Sequence, residues 1–131
     1  MGTKSIGQKI LTVVVALPAI LFITMGLRWL FIPEGVALEL GLTLESGLGL
    51  SSQIGDLAAF FLVAGLCIMF GLVTSKRVWY YPPVMLLLVA ASGRMIAWVV
   101  HGAAFAAQMI FFEIVISMLL LVASRILASE E

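Results

Sequence analysis

Residues 104–127 read AFAAQMIFFEIVISMLLLVASRIL, an unbroken apolar run with one carboxylate, Glu113, near its middle. A helix rises about 1.5 Å per residue, so about 20 mostly apolar residues cross the hydrocarbon core of a bilayer. The run therefore reads as a membrane-spanning helix. Three more stretches of the same kind precede it, at about residues 6–32, 54–74 and 82–100. Their apolar residues are continuous, whereas the strands of a membrane barrel alternate apolar and polar positions over about ten residues. The expected fold is all-α: one domain over residues 1–131, an antiparallel bundle of four transmembrane helices with an outer loop at 33–52. Pro18 interrupts the amide ladder of the first span and predicts a kink there. Pro82 and Pro83 suit the first turn of the third, where missing N–H groups cost little.

Composition points the same way. Of 131 residues, 63% are hydrophobic and 11% charged, with a mean hydropathy of +1.24. A soluble domain carries about 25% charged residues. A water-soluble fold of this length could not hide so much apolar surface, so lipid must serve as solvent for most of it. The N-terminus, with Lys4 and Lys9 ahead of an apolar stretch, superficially looks like a signal peptide. The stretch is long enough to span, however, and no small-x-small site closes it, so it reads as the first span.

Basic residues near span ends set orientation, because cytoplasmic loops are enriched in Lys and Arg. Lys4, Lys9, Lys76, Arg77 and Arg125 all fall on one side if the spans alternate, while Glu34, Glu39, Glu45 and His101 fall on the other. Both termini are therefore expected in the cytoplasm of a multi-pass protein of the bacterial inner (plasma) membrane. Trp79, Tyr80 and Tyr81 are expected to mark the cytoplasmic interface, and Trp29 and Phe31 the outer one. In the outer loop Leu38, Leu40, Leu42 and Leu44 recur with period two, which suggests an extended or hairpin-like segment. A short amphipathic helix is the rival reading, and Gly41 weakens it. Small residues are frequent at Gly65, Gly71, Ala90, Gly93, Ala97, Ala103, Ala106 and Ala107, where they let membrane helices approach closely.

Ionisable groups within spans are costly, by about 2.5–3.5 kcal/mol at mid-helix on insertion scales. Four such groups stand out: Arg28, Asp56, Arg94 and Glu113. Counted from the outer ends, Arg28 lies ~6 Å deep, Asp56 at a similar or shallower depth, Arg94 ~10 Å and Glu113 ~12–14 Å. All four are expected in the outer half of the membrane, one from each span, two positive and two negative. Arg94, Trp98 and His101 follow an i, i+4, i+7 pattern and share a helix face. Glu113 and Ser117 share another, with Gln108 near its mouth. Turned inward, these faces make a polar pocket walled by Trp98, Phe60 and Met109. The plainer alternative is that the charges pair to fix helix register, or reach for water at the interface.

Several chemistries have no support. One His and one Cys make no zinc, haem or copper site, and two arginines oppose a metal at Asp56, Glu113 and His101. Cys67, lying in an apolar run, reads as a packing residue without a disulfide partner. No P-loop, dinucleotide fingerprint or nucleophile triad motif occurs, no cofactor is called for, and no basic run points to nucleic acid. The nearly all-apolar inner half argues against a monomeric channel.

Three short segments carry a resemblance. Arg28-Trp29-Leu30-Phe31-Ile32-Pro33 closes the first span, Ser52-Gln53-Ile54-Gly55-Asp56-Leu57 opens the second, and Ser92-Gly93-Arg94 lies in the third. In these and in the order of its features, over most of its length, the chain resembles a family of small bacterial four-helix membrane proteins of unknown function. It is also loosely similar to DoxX-type four-helix proteins, which likewise carry a Gly-Arg pair in a membrane helix. The resemblance implies the four-helix fold and singles out Arg28, Asp56 and Arg94, but implies no activity.

The leading functional expectation is a binding protein for a lipid-like or amphipathic molecule, held in the polar pocket of the outer membrane half. An apolar wall with a few convergent polar groups is the usual composition of a small-molecule site. Arg28 and Arg94 would hold an anionic or oxygen-rich head, Phe60 and Trp98 the apolar part, and Asp56 and Glu113 would balance charge, with His101 and Gln108 at the mouth. An intramembrane isomerase, cyclase or hydrolase would instead use Glu113, or secondarily Asp56, as acid or base. A structural or assembly subunit, partnered by another membrane protein or by copies of itself, is the third class.

Overall fold

The computed structural model describes residues 3–129. Among them the chain forms five α-helices and no strand: α1 (Ile6–Phe31), α2 (Pro33–Glu39), α3 (Gly47–Thr74), α4 (Tyr81–His101) and α5 (Ala107–Ile126), with a 3₁₀ turn at Arg77–Tyr80 leading into α4. Four helical stretches, α1, α3, residues 77–101 and α5, are long and apolar enough to cross a membrane. Large apolar side chains face outward along them; Val13, Leu17, Phe111 and Met118 are each at least 58% exposed. Apolar exposure on that scale is untenable in water and ordinary against lipid.

The start of α1 is written in a capping box. Ser5 Oγ accepts from the Gln8 N–H at 3.1 Å while Gln8 Oε1 accepts from the Ser5 N–H at 3.0 Å. Gln8 Nε2 also donates to the Ile126 carbonyl at 3.4 Å, tying the first turn of α1 to the last of α5. At the same end the Ser129 N–H donates to the Ser75 carbonyl at 2.9 Å, and Arg77 Nε donates to the Ser124 carbonyl at 2.9 Å. Helix α1 continues through Pro18, which is buried.

Helix α1 packs most extensively on α3, and α4 on α5. Two glycines set the first of these contacts. A Cβ on Gly65 would lie 2.9 Å from both the Ala19 carbonyl oxygen and the Ile23 nitrogen, and one on Gly26 would meet Leu62 at 2.5 Å. Only hydrogen fits there. Gly71 admits the Tyr80 ring in the same way. Gly93 differs, since a Cβ there meets nothing within 4 Å; it borders open space, not a helix contact.

The segment expected as a 33–52 loop is largely ordered secondary structure. Pro33 opens the short helix α2, Gly41 turns the chain at φ 75°, and α3 begins at Gly47 instead of near residue 54. Both readings of the leucine pattern hold in part: α2 is helical, and beyond Gly41 the chain is irregular, with Leu42 and Leu44 packing on the core while Thr43 and Glu45 are exposed. The Gln53 amide holds this stretch at two points, accepting from the Glu45 N–H at 2.8 Å and donating to the Thr43 carbonyl at 3.0 Å. Two aromatic expectations need correction. Trp29 and Tyr80 are fully buried among the helices, so neither ring faces outward toward lipid. Each ring fills space between helices, at the cost of leaving Trp29 Nε1 and Tyr80 Oη without a hydrogen-bond partner among the described residues.

Candidate functional site

Arg94 on α4 and Glu113 on α5 meet across the contact between those helices. The single Nε–H of Arg94 lies 3.1 Å from each Glu113 carboxylate oxygen and is shared between them. Glu113 is nearly enclosed, its side chain 12% exposed, while Arg94 keeps 34%. Ser117, one turn on, donates its hydroxyl to the Glu113 backbone carbonyl at 2.8 Å, so it satisfies its own helix and leaves the carboxylate to Arg94.

This ion pair borders a cavity of about 180 Å³ to which every long helix contributes. Leu21, Phe22 and Met25 come from α1, Phe60 and Phe61 from α3, Leu87 and Arg94 from α4, and Met109, Phe112, Glu113 and Ile116 from α5. Its wall is apolar except for the one pair. Phe61 is held by Phe60 edge-on at 5.1 Å and by Phe22 at 6.0 Å between ring centres. Two further spaces adjoin it. One, of about 330 Å³, is a groove between α3 and α4 floored by Ala90, Gly93 and Ala97. The other, of about 440 Å³, carries Arg28, Glu39 and Gln108. Leu40 borders all three.

The four membrane charges do not form one cluster. Arg28 Nη2 pairs with Glu39 at 2.6 Å, a residue of α2, and not with Asp56. The reason is local: the chain turns back after α1 and α2 brings its last residue over the last turn of α1, where Gly35 leaves room for the guanidinium. Asp56 is exposed on α3 and has no ion-pair or hydrogen-bond partner among the described residues. Trp98, 44% exposed, lies against Phe105 in a tilted contact at 4.7 Å between ring centres, and His101 is the exposed last residue of α4; neither borders the three spaces around Leu40. The buried face of α4 is that of Val84, Leu87 and Ala91, with Arg94 half-buried one turn on from it. Sequence reasoning missed Glu39 as the partner of Arg28 and Leu40 as a shared wall. The alternating leucines were the available signal for Leu40; nothing in the spacing marked Glu39. Among the described residues, no three His, Cys, Asp or Glu side chains gather as metal ligands would.

Comparison with protein-family models, curated proteins and solved structures finds no match to this chain.

Proposed function

We propose that the chain is a small multi-pass protein of the bacterial plasma membrane that binds a lipid-like or amphipathic molecule between its helices, with the Arg94–Glu113 pair at the head and Phe60 and Phe112 along the apolar part. One observation carries this reading: a cavity of about 180 Å³ bordered by all four long helices, apolar except for a single ion pair. That composition suits a ligand with a small polar end and a greasy body. Binding is favoured over acid–base catalysis because Glu113 is held in an ion pair with Arg94, which favours its charged form over a proton-donating one.

The proposal includes the finer topology: spans alternating up and down, with both termini in the cytoplasm. It is supported by Lys4, Lys9, Lys76, Arg77 and Arg125, which cluster near the end where α1 starts and α5 finishes. Arg28, Glu39 and Gln108 then belong to the outer side. Kinship with the small bacterial four-helix membrane proteins, loosely of DoxX type, is part of the same proposal, resting on the Gly93-Arg94 pair and the segments around Arg28 and Asp56.

Native mass spectrometry of the full chain in mild detergent tests the binding reading. An adduct of lipid-like mass is expected on the wild type and is expected to vanish in Met109→Trp, which fills the cavity. A wild type free of adducts, or an adduct indifferent to that filling, would overturn the proposal.

A further inference from the structure

We infer that the cavity selects an uncharged head rich in hydrogen-bond acceptors, such as a carboxylic ester, over a carboxylate or phosphate on the same chain. This deepens the binding reading above and rests on it.

The first argument is a count of donors. An arginine carries five N–H groups and no acceptor. Arg94 commits one, the Nε–H, to Glu113. The four on its Nη nitrogens make no hydrogen bond among the described residues, and the side chain keeps 34% of its surface open. The spaces that Arg94 borders are otherwise lined by apolar side chains apart from Glu113. An unmet donor in such surroundings is costly, so a ligand that brings acceptors is favoured.

The second argument is charge. Among the described residues, Arg94 and Glu113 are the only ionisable ones bordering the cavity, and they sum to zero. The nearest further cation in the adjoining space, Arg28, is committed to Glu39 at 2.6 Å. An anionic head would therefore set a second negative charge beside Glu113 with one guanidinium between two anions. Away from water, an uncompensated charge is heavily penalised. An ester or amide carbonyl accepts from the same N–H groups and adds no charge. The Glu113 oxygens share one N–H and keep further lone pairs, so a donor on the ligand is accommodated but not required. Beyond the head, the groove past Gly93, where a Cβ would meet nothing within 4 Å, leaves room for a chain between α3 and α4.

The test compares methyl palmitate with palmitate, at a pH where the acid is ionised, on the detergent-solubilised full chain by competitive native mass spectrometry. Met109→Trp sets the non-specific baseline. Above that baseline, the wild type is expected to hold the ester about tenfold more tightly than the acid. Glu113→Gln leaves Arg94 uncompensated and is expected to invert the preference. Equal or tighter binding of palmitate by the wild type overturns the inference and leaves the binding reading standing. So does an unaltered preference in a folded Glu113→Gln. Neither probe exceeding the baseline overturns both. Should Glu113→Gln not fold, the wild-type comparison decides alone.

Discussion

At the scale of single residues, glycines that look alike in the sequence play opposite parts. Gly65 lies where α1 and α3 touch backbone to backbone, so Gly65→Ala must push the helices apart against the Ala19 carbonyl and the Ile23 nitrogen. The cost of such overpacking is about 1–3 kcal/mol. Gly93 faces open space, and alanine there gains helix propensity of up to about 1 kcal/mol without a clash. Thermal unfolding in detergent is expected to show Gly65→Ala melting earlier and Gly93→Ala unchanged or later. Equal effects would mean that the α1–α3 contact is looser than drawn. The same contrast marks a limit of reading small residues from sequence. A small side chain permits close approach, but whether a helix stands opposite depends on the rotation of each helix about its axis.

At the scale of elements, the segment from α2 to the start of α3 is fastened unevenly. The Arg28–Glu39 pair is largely exposed, at 36% and 58%, and exposed pairs contribute little, about 0–1 kcal/mol. Gln53 makes two hydrogen bonds to backbone that has no helix ladder of its own, each worth about 0.5–1.5 kcal/mol. Gln53→Ala is therefore expected to speed amide hydrogen exchange at residues 43–45 more than Glu39→Gln does at residues 36–40, with little change in global melting for either. Faster exchange in Glu39→Gln would make the ion pair the principal fastening. The sequence pattern caught the leucines here because alternation survives in the chain past Gly41. It held a short helix only as the rival reading, because Gly41 weakens one there, and it missed the early start of α3 because residues 46–53, SGLGLSSQ, carry too many small and polar residues to extend an apolar run.

At the scale of the molecule, the bundle is two tightly packed pairs, α1 with α3 and α4 with α5, whose mutual contact is thinner. The cavity lies where the pairs face each other, and Leu40 forms part of its wall. Hydrogen bonds between Gln8 and Ile126 and between Ser129 and Ser75 join the pairs at one end, where Arg77 also donates to the Ser124 carbonyl within the α4–α5 pair. If that end is cytoplasmic, then in a Cys67→Ser background a cysteine at Glu45 labels with a membrane-impermeant thiol reagent in intact cells. One at Lys76 labels only after permeabilisation. The reverse pattern would invert the topology.

The amino-acid sequence alone determined that this chain forms four long apolar helices, because backbone amides in lipid have no partner but their own helix and the runs are long enough to cross. It also marked Arg94 and Glu113 as costly groups at comparable depth. Only the tertiary structure decided which charges meet: Arg94 with Glu113, Arg28 with Glu39, and Asp56 with no charge among the described residues. The physical reason is that these helices are apolar around most of their circumference. Periodicity then gives no preferred inward face, and rotation is set by contacts between helices, such as those at Gly26 and Gly65, which no single stretch of sequence contains.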